Sequence, residues 1–288
     1  MIAPYVESLK LRVGSFIGMA AVLGYVATAP ARPSLGALGL LFAVTVMAAG
    51  GAGALNHFLD RDLDALMPRT RHRPLPSGRI AHGWHVVALG LGLVALAVSV
   101  AMWRLNHLVA LHVFLGAFTY VVVYTIWLKR RSWLNVVVGG LAGSFAVMAG
   151  GALARPELCL PPVIFAAALF FWSPSHFWSL AIAYKSDYAG ARIPMLPAVK
   201  GEASTAWSIL VNTVGLLAST LLPWILGILG GVYVVTAAAG GGFLLWRNLA
   251  LLARPTDRRL ALANFHASNL FLLLLFLGVV LDVWWRSA

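Results

Sequence analysis

Residues 35–64 read LGALGLLFAVTVMAAGGAGALNHFLDRDLD, and the join within them decides the fold. From Leu35 to Phe58 there is no Lys, Arg, Asp or Glu; three aspartates, Asp60, Asp62 and Asp64, then fall within five residues. At about 1.5 Å of rise per residue, the apolar part is long enough to cross a hydrocarbon core of about 30 Å as a helix. An acid at the centre of such a helix costs about 2.5–3.5 kcal/mol to insert. The three acids therefore belong at the end of a membrane-spanning helix, at the interface or in a wet cavity.

The same pattern of apolar runs fills the chain. Candidate spans lie at 13–29, 35–58, 84–103, 108–128, 134–154, 161–183, 207–227, 232–252 and 264–285. The short alternating segments of a β-barrel, the other structure that spans lipid, are absent. With 61% hydrophobic and only 10% charged residues, the 288-residue chain cannot be an ordinary soluble globule. We read residues 1–288 as one all-α integral membrane domain of nine transmembrane helices.

Charge sets the orientation. The formal net charge of +12 would raise nucleic acid as a partner in a soluble protein, but here the bias follows the membrane. Counting alternate loops puts 17 Lys and Arg on the N-terminal side and only Arg32, Arg104, Arg155 and Arg286 on the other. The N-terminus is thus expected in the cytoplasm and the C-terminus outside, with no nucleic-acid partner. The single cysteine, Cys159, offers neither an internal disulfide nor a CxxC pair. No cleavable signal or mitochondrial transit peptide is evident, and a bacterial cytoplasmic membrane is the expected location. Gly139, Gly140, Gly143 and Ser144 form small-xxx-small pairs, the pattern of close helix packing.

Helix geometry sorts the acids. Asn56, Asp60 and Asp64 are spaced by four, and each such step rotates only about 40°, so they share one face. Asp62 lies about 200° from Asp60 and points away. The run continues through Pro68, Pro74 and Pro76 and crowds Arg69, Arg71 and Arg73 beside the acids. Acids and arginines together suit a divalent metal and an anion, because Mg²⁺ takes one or two carboxylates plus phosphate oxygens and arginine forks onto phosphate. A solvated loop whose acids neutralise its arginines is the other reading. A second cluster, YKSDYAGARIPMLP at 184–197, places Lys185, Asp187, Tyr188 and Arg192 after the sixth span. Lys129, Arg130 and Arg131 follow the fourth. All three groups follow even-numbered spans, so they are expected to converge on one face.

NHFLDRDLDALMPRTRHRPLPSGRI resembles the first motif of the membrane-embedded prenyltransferase superfamily, in the form found in the protohaem IX farnesyltransferases. DYAGARIPMLPAVKG resembles the second motif, and HFWSLAIAY, LKRRSWLNVVVGGLAG and FHASNLFLLLLF look like the same haem-directed branch. The likeness runs from Lys10 to Asp282. It implies helices around a central cavity open to lipid, and an enzyme that joins farnesyl diphosphate to a vinyl group of haem B, giving haem O for a downstream haem A synthase. Carried over, Asn56, Asp60 and Asp64 match the first diphosphate and Mg²⁺ motif and Asp187 the second. Asp60, Asp64 and Asp187 are then the expected catalytic acids, with Arg69, Arg73 and Lys129 on the diphosphate and Arg130, Lys185 and Tyr188 beside them. Two departures stand out: Ala191 replaces the second carboxylate of quinone-directed relatives, and Ser175 sits where proline often precedes the histidine.

His176 is the expected contact to the porphyrin or its iron, imidazole being the usual haem ligand; a hydrogen-bonded histidine within the bundle is the competing reading. Tyr184 and Tyr188 suit either a ligand or interfacial anchoring, and the tryptophans, Trp133, Trp284 and Trp285 among them, suit an aromatic belt. Two alternative functions remain at this point. One is prenyl transfer to a quinone-type ring or chlorophyll precursor. The other is secondary transport, which would place its charges near the midplane.

Overall fold

The computed structural model describes residues 2–29 and 34–287, and these form helices and turns with no strand among them. In order they are α1 (Ala3–Ser8), α2 (Leu11–Val26), α3 (Leu35–Leu59), α4 (Arg61–Leu66), α5 (Gly83–Arg104) and α6 (His107–Phe118). A π-helix (Thr119–Leu128) extends α6, and α7 (Asn135–Gly139), α8 (Leu141–Ala154) and α9 (Leu160–Ala183) follow. The remainder are α10 (Lys185–Gly190), α11 (Leu196–Val199), α12 (Glu202–Ile225), α13 (Gly231–Ala253) and α14 (Arg258–Ser287).

Among the described residues, eight helical segments are long and apolar enough to cross a membrane, and α2 is a ninth apolar helix of 16 residues. The chain is a multi-pass membrane protein. Two boundaries differ from expectation. The first apolar segment is a helix only over Leu11–Val26. The fifth spans Asn135–Ala154 as expected, divided into α7 and α8 at Gly140, where an added Cβ would lie 2.9 Å from that of Ser173. The last runs past its predicted limits, from Arg258 to Ser287. Arg32, one of the four basic residues counted on the sparse side, lies outside the described residues.

Local chemistry starts and stops the helices. Ser34 and Asn106 cap α3 and α6 by accepting from the amides of Ala37 and Val109, and the Asp257 carboxylate accepts from Arg259 and Leu260 at the start of α14. At the far end of α14, buried Asp282 accepts from the Gly230 and Tyr233 amides and so caps α13 across the helix interface.

The helices pack as two groups, α2, α3, α5, α6 and α8 in one and α9, α12, α13 and α14 in the other, joined through α8 against α9 and α14 against α2. Lipid tails are as apolar as leucine, so helix association here depends on close packing and on buried hydrogen bonds. In the first group the closest seam is α2 on α8. An added Cβ on Gly150 would lie 1.8 Å from the Ala21 carbonyl oxygen, and one on Gly24 would lie 2.0 Å from that of Val147. Gly150→Ala is therefore expected to push the helices apart and destabilise the protein by about 1–3 kcal/mol or more, read as a lower melting temperature in detergent.

The second group is held by a buried polar chain. Asn264 Nδ2 donates to Ser179 at 2.8 Å, Asn248 Nδ2 to Asn264 at 3.1 Å, and Thr213 to Asn248 at 3.0 Å. Such bonds average about 0.6 kcal/mol each in membrane proteins. Tryptophans sit as expected near the helix ends: exposed Trp84, Trp127, Trp207 and Trp246 at one end of the bundle, Trp103, Trp224, Trp284 and Trp285 at the other. These are the two aromatic belts of a spanning protein.

Candidate active site

The α3 helix ends one residue before Asp60, yet helical hydrogen bonding runs through the junction, from the Asp60 amide to Asn56 and from the Asp64 amide to Asp60. Asn56, Asp60 and Asp64 consequently share one buried face, each at most 3% exposed, while Asp62 is exposed. Burying two carboxylates is tolerable only if each is paired. Asp64 takes both oxygens to Arg73 Nη1, at 2.8 and 3.0 Å, and its backbone carbonyl accepts from Thr70. Asp60 Oδ2 accepts from Lys129 Nζ at 2.5 Å and from Asn56 Nδ2 at 2.7 Å.

The π-helix carries the far side of the site. Its wider turn is seen where the Lys129 amide donates to Tyr124 and the Thr125 hydroxyl donates to Tyr120, both five residues back. With that proton spent on Tyr120, Thr125 Oγ1 accepts the second Asn56 N–H at 2.9 Å. Both amide protons of Asn56 are thus used, which turns its Oδ1 towards a third cation, Lys10, whose Nζ donates to it. Lys10 sits in the left-handed backbone region, φ 51°, at the start of α2. Burial, and next the like charge of Arg73, push its ammonium pKa down to about 7.

Lys10 was invisible as a site residue in the sequence, where it counts only as one more basic residue before the first span. Its one signal there was the run of small residues at 50–54 of α3. Gly53 leaves room for the Leu9 carbonyl, 3.0 Å from where a Cβ would stand, and so lets the chain just before Lys10 lie against α3.

The second cluster packs onto the first. Leu63 and Met67 share a buried apolar cluster with Tyr188, Ala191 and Ile193. The Arg69 and Arg258 guanidinium groups lie 5.3 and 5.2 Å from the Tyr184 ring centre, so that ring is clamped between two cations. Arg69 Nε is buried without a hydrogen-bond partner. Asp187 is half-buried, and among the described residues its carboxylate has no ion pair. Ala191, where a second carboxylate would stand, is buried in that apolar cluster.

Other expected ligand residues are engaged elsewhere. Arg130 forks onto exposed Asp62, two contacts of 2.7 Å, which holds the Asp62 carboxyl below its usual range. Lys185 pairs with Glu202 at 2.8 Å. Tyr188 is packed in the apolar cluster. His176 lies further along α9, buried where that helix meets α14, and hydrogen-bonds Ser268.

Among the described residues no three His, Cys, Asp or Glu side chains stand close enough to hold one ion. The expected set of Asn56, Asp60, Asp64 and Asp187 is therefore not a preformed cage. Mg²⁺ keeps several waters and uses one or two carboxylates with substrate phosphates, so it does not need one. Asp60 Oδ1 meets that requirement: it is sealed from solvent, unpartnered and a hard oxygen donor. The site thus fits a divalent ion that arrives with a phosphate group. Around the two buried acids stand three cations, Lys10, Arg73 and Lys129, an excess of positive charge suited to an anion.

Residues 17–281 match the model of the UbiA prenyltransferase family. The chain is 48% identical to protoheme IX farnesyltransferase 2 of Paramagnetospirillum magneticum, over 95% of this chain and 94% of that one. It is 46% identical to protoheme IX farnesyltransferase 1 of the same organism, over 98% of each, and 40% identical to the protoheme IX farnesyltransferase of Granulibacter bethesdensis, over 97% and 90%. In fold it is similar to a digeranylgeranylglyceryl phosphate synthase, with TM-score 0.80, 16% identity and 98% of each chain covered. It is similar also to a UbiA homolog from Archaeoglobus fulgidus bound to DMAPP and Mg²⁺, with TM-score 0.69, 15% identity, and 96% and 99% covered.

Proposed function

This chain belongs to the UbiA prenyltransferase family and is a membrane prenyltransferase, and from that premise we propose that it transfers the farnesyl group of farnesyl diphosphate to a vinyl group of haem B, with addition of water, giving haem O. The acceptor follows from the relatives that align over nearly the whole chain and carry that activity in their names. The observation that carries the donor half is the meeting of two buried carboxylates, one with an orphan oxygen, with three cations at one end of the bundle. That end faces the cytoplasm of a bacterial inner membrane in this reading, since the basic loops gather there.

In the reaction the C1–O bond of the allylic diphosphate breaks and a C–C bond forms between C1 and the terminal vinyl carbon. Water adds to the other vinyl carbon and releases a proton, and diphosphate leaves. Asp60 through Oδ1, Asp64 and Asn56, with Asp187 from the second cluster, are the residues that would hold Mg²⁺, whose contribution when bound is Lewis acidity towards the departing diphosphate. Lys129 and Arg73, which neutralise the buried acids, would with Lys10 and Arg69 face the phosphate oxygens and take up the charge that develops there. Asn56 orients the pair, because its amide is fixed by Thr125, Asp60 and Lys10. The apolar helices keep bulk water from the allylic cation. The product is the precursor of haem A, so a haem A synthase is the expected recipient.

The test is the chain in lipid nanodiscs with Mg²⁺ and labelled farnesyl diphosphate, offered haem B or an aromatic acid. Label in a haem product carrying farnesyl plus water is the expected outcome. Label in the aromatic acid instead would assign the chain to quinone-type acceptors, and label in neither would refute prenyl transfer to both.

A further inference from the structure

His176 is 8% exposed and lies on α9 at the seam with α14. Both faces of its ring are covered. Trp172 stacks on it with centroids 4.3 Å apart and planes 19° apart, and Phe265 lies 4.3 Å away, tilted by 31°. Phe177 meets it edge-on at 5.3 Å. Only the in-plane edges of the imidazole, where its nitrogens lie, remain for polar chemistry.

The hydrogen bonds decide which nitrogen carries the proton. Ser268 Oγ lies 2.7 Å from the Phe265 carbonyl oxygen, which only accepts, so the serine proton is spent there. The 2.8 Å contact between His176 Nδ1 and Ser268 Oγ then requires Nδ1–H to donate. A neutral imidazole holding its proton on Nδ1 presents a bare lone pair at Nε2. Nε2 has no hydrogen-bond partner among the described residues, and it is not among the buried unpartnered atoms, so it reaches the surface of the chain. Ser268 is itself held, since the Trp172 indole donates to its backbone carbonyl at 2.8 Å across the same seam.

A histidine that donates from one nitrogen to a fixed oxygen while the other stands open is the arrangement proteins use to present imidazole to a metal. Contacts with Trp172 and Phe265 and the bond from Nδ1 to Ser268 hold the ring, which gives the Nε2 lone pair one direction. From the end of α9 at Ala183, His176 is seven residues back, about 10 Å along the helix. His176 thus stands in the half of α9 nearer the diphosphate site.

We propose that His176 Nε2 is an axial ligand to the iron of the acceptor porphyrin and that Ser268 is the positioning residue that holds its tautomer. This rests on the haem-acceptor reading above and adds to it the point of attachment. The covered faces do not oppose it, because iron binds along the in-plane lone pair. His266, next on α14, is exposed, and among the described residues its ring contact is with Phe265; it is the control histidine.

The experiment titrates haem B into the full chain in nanodiscs and reads the Soret and visible bands of the iron. The wild type is expected to show an imidazole-ligated spectrum, His176→Gly to lose it, and added imidazole to restore it. Ser268→Ala should weaken haem binding by about 10–100-fold, the usual effect of removing a group that orients a metal-binding histidine. Metal-free protoporphyrin IX should bind the wild type and His176→Gly equally, which separates lost ligation from a misfolded site. A His176→Gly spectrum identical to wild type, or a ligation signal lost in His266→Ala instead, overturns the proposal. If the wild type makes haem O while its spectrum ignores His176, ligation alone fails; if it binds no haem and makes no haem O, the acceptor reading fails with it.

Discussion

Asp60→Asn is expected to lower turnover by about 10²–10³-fold or more, the scale of losing one preorganised electrostatic group at a reacting centre. Asp60 is 1% exposed and is the only residue of the site with a sealed, unpartnered oxygen among the described residues. An asparagine keeps the shape and still accepts from Lys129, but it cannot neutralise that ammonium or offer a charged oxygen to a divalent ion. Membrane insertion should persist, because the apolar run of α3 is untouched. Turnover is measured as haem-linked label against Mg²⁺ concentration, with protein in the membrane fraction as the control. Normal activity in Asp60→Asn, with Mg²⁺ still required, would remove Asp60 from the reaction.

Arg73→Met is expected to act on stability as much as on activity. It strips the only ion-pair partner of Asp64 among the described residues, and the Asp64 side chain, 2% exposed, is left as a buried charge alone. Breaking such a pair costs about 3–5 kcal/mol. The double variant Arg73→Met with Asp64→Asn removes both charges and should recover much of the melting temperature lost by the single change. Activity should not return with it, because the double variant lacks both an acid and a phosphate-facing cation. Equal melting temperatures for single and double variants would show that the pair does not stabilise the fold. Contrast Arg130, whose fork onto Asp62 is exposed on both sides: surface pairs of that kind contribute at most about 1 kcal/mol.

The helical spacing of four places Asn56, Asp60 and Asp64 on one face and sets Asp62 apart, and both hold because hydrogen bonding continues through the junction of α3 and α4. The partners were harder to assign. Arg69, Arg71 and Arg73 are indistinguishable by composition, yet among the described residues Arg73 alone of the three pairs with an acid. Arg130 and Lys185 were expected at the ligand but spend their charge on Asp62 and Glu202. Lys10 and Thr125 were not anticipated at all, since nothing local to either marks it; each acquires its role only by touching Asn56.

Hydropathy and segment length by themselves determined that this chain is a bundle of membrane helices, because lipid leaves the backbone no other way to satisfy its hydrogen bonds than a helix or a closed barrel. Helical periodicity likewise determined which acids share a face. Pairing was decided only by tertiary structure. Lys129 reaches Asp60 from the end of the π-helix, Lys10 reaches Asn56 because the glycines of α3 admit the N-terminal segment, and His176 meets Ser268 across the seam of α9 and α14. Those are contacts between residues far apart in the chain, and a local pattern carries no information about them.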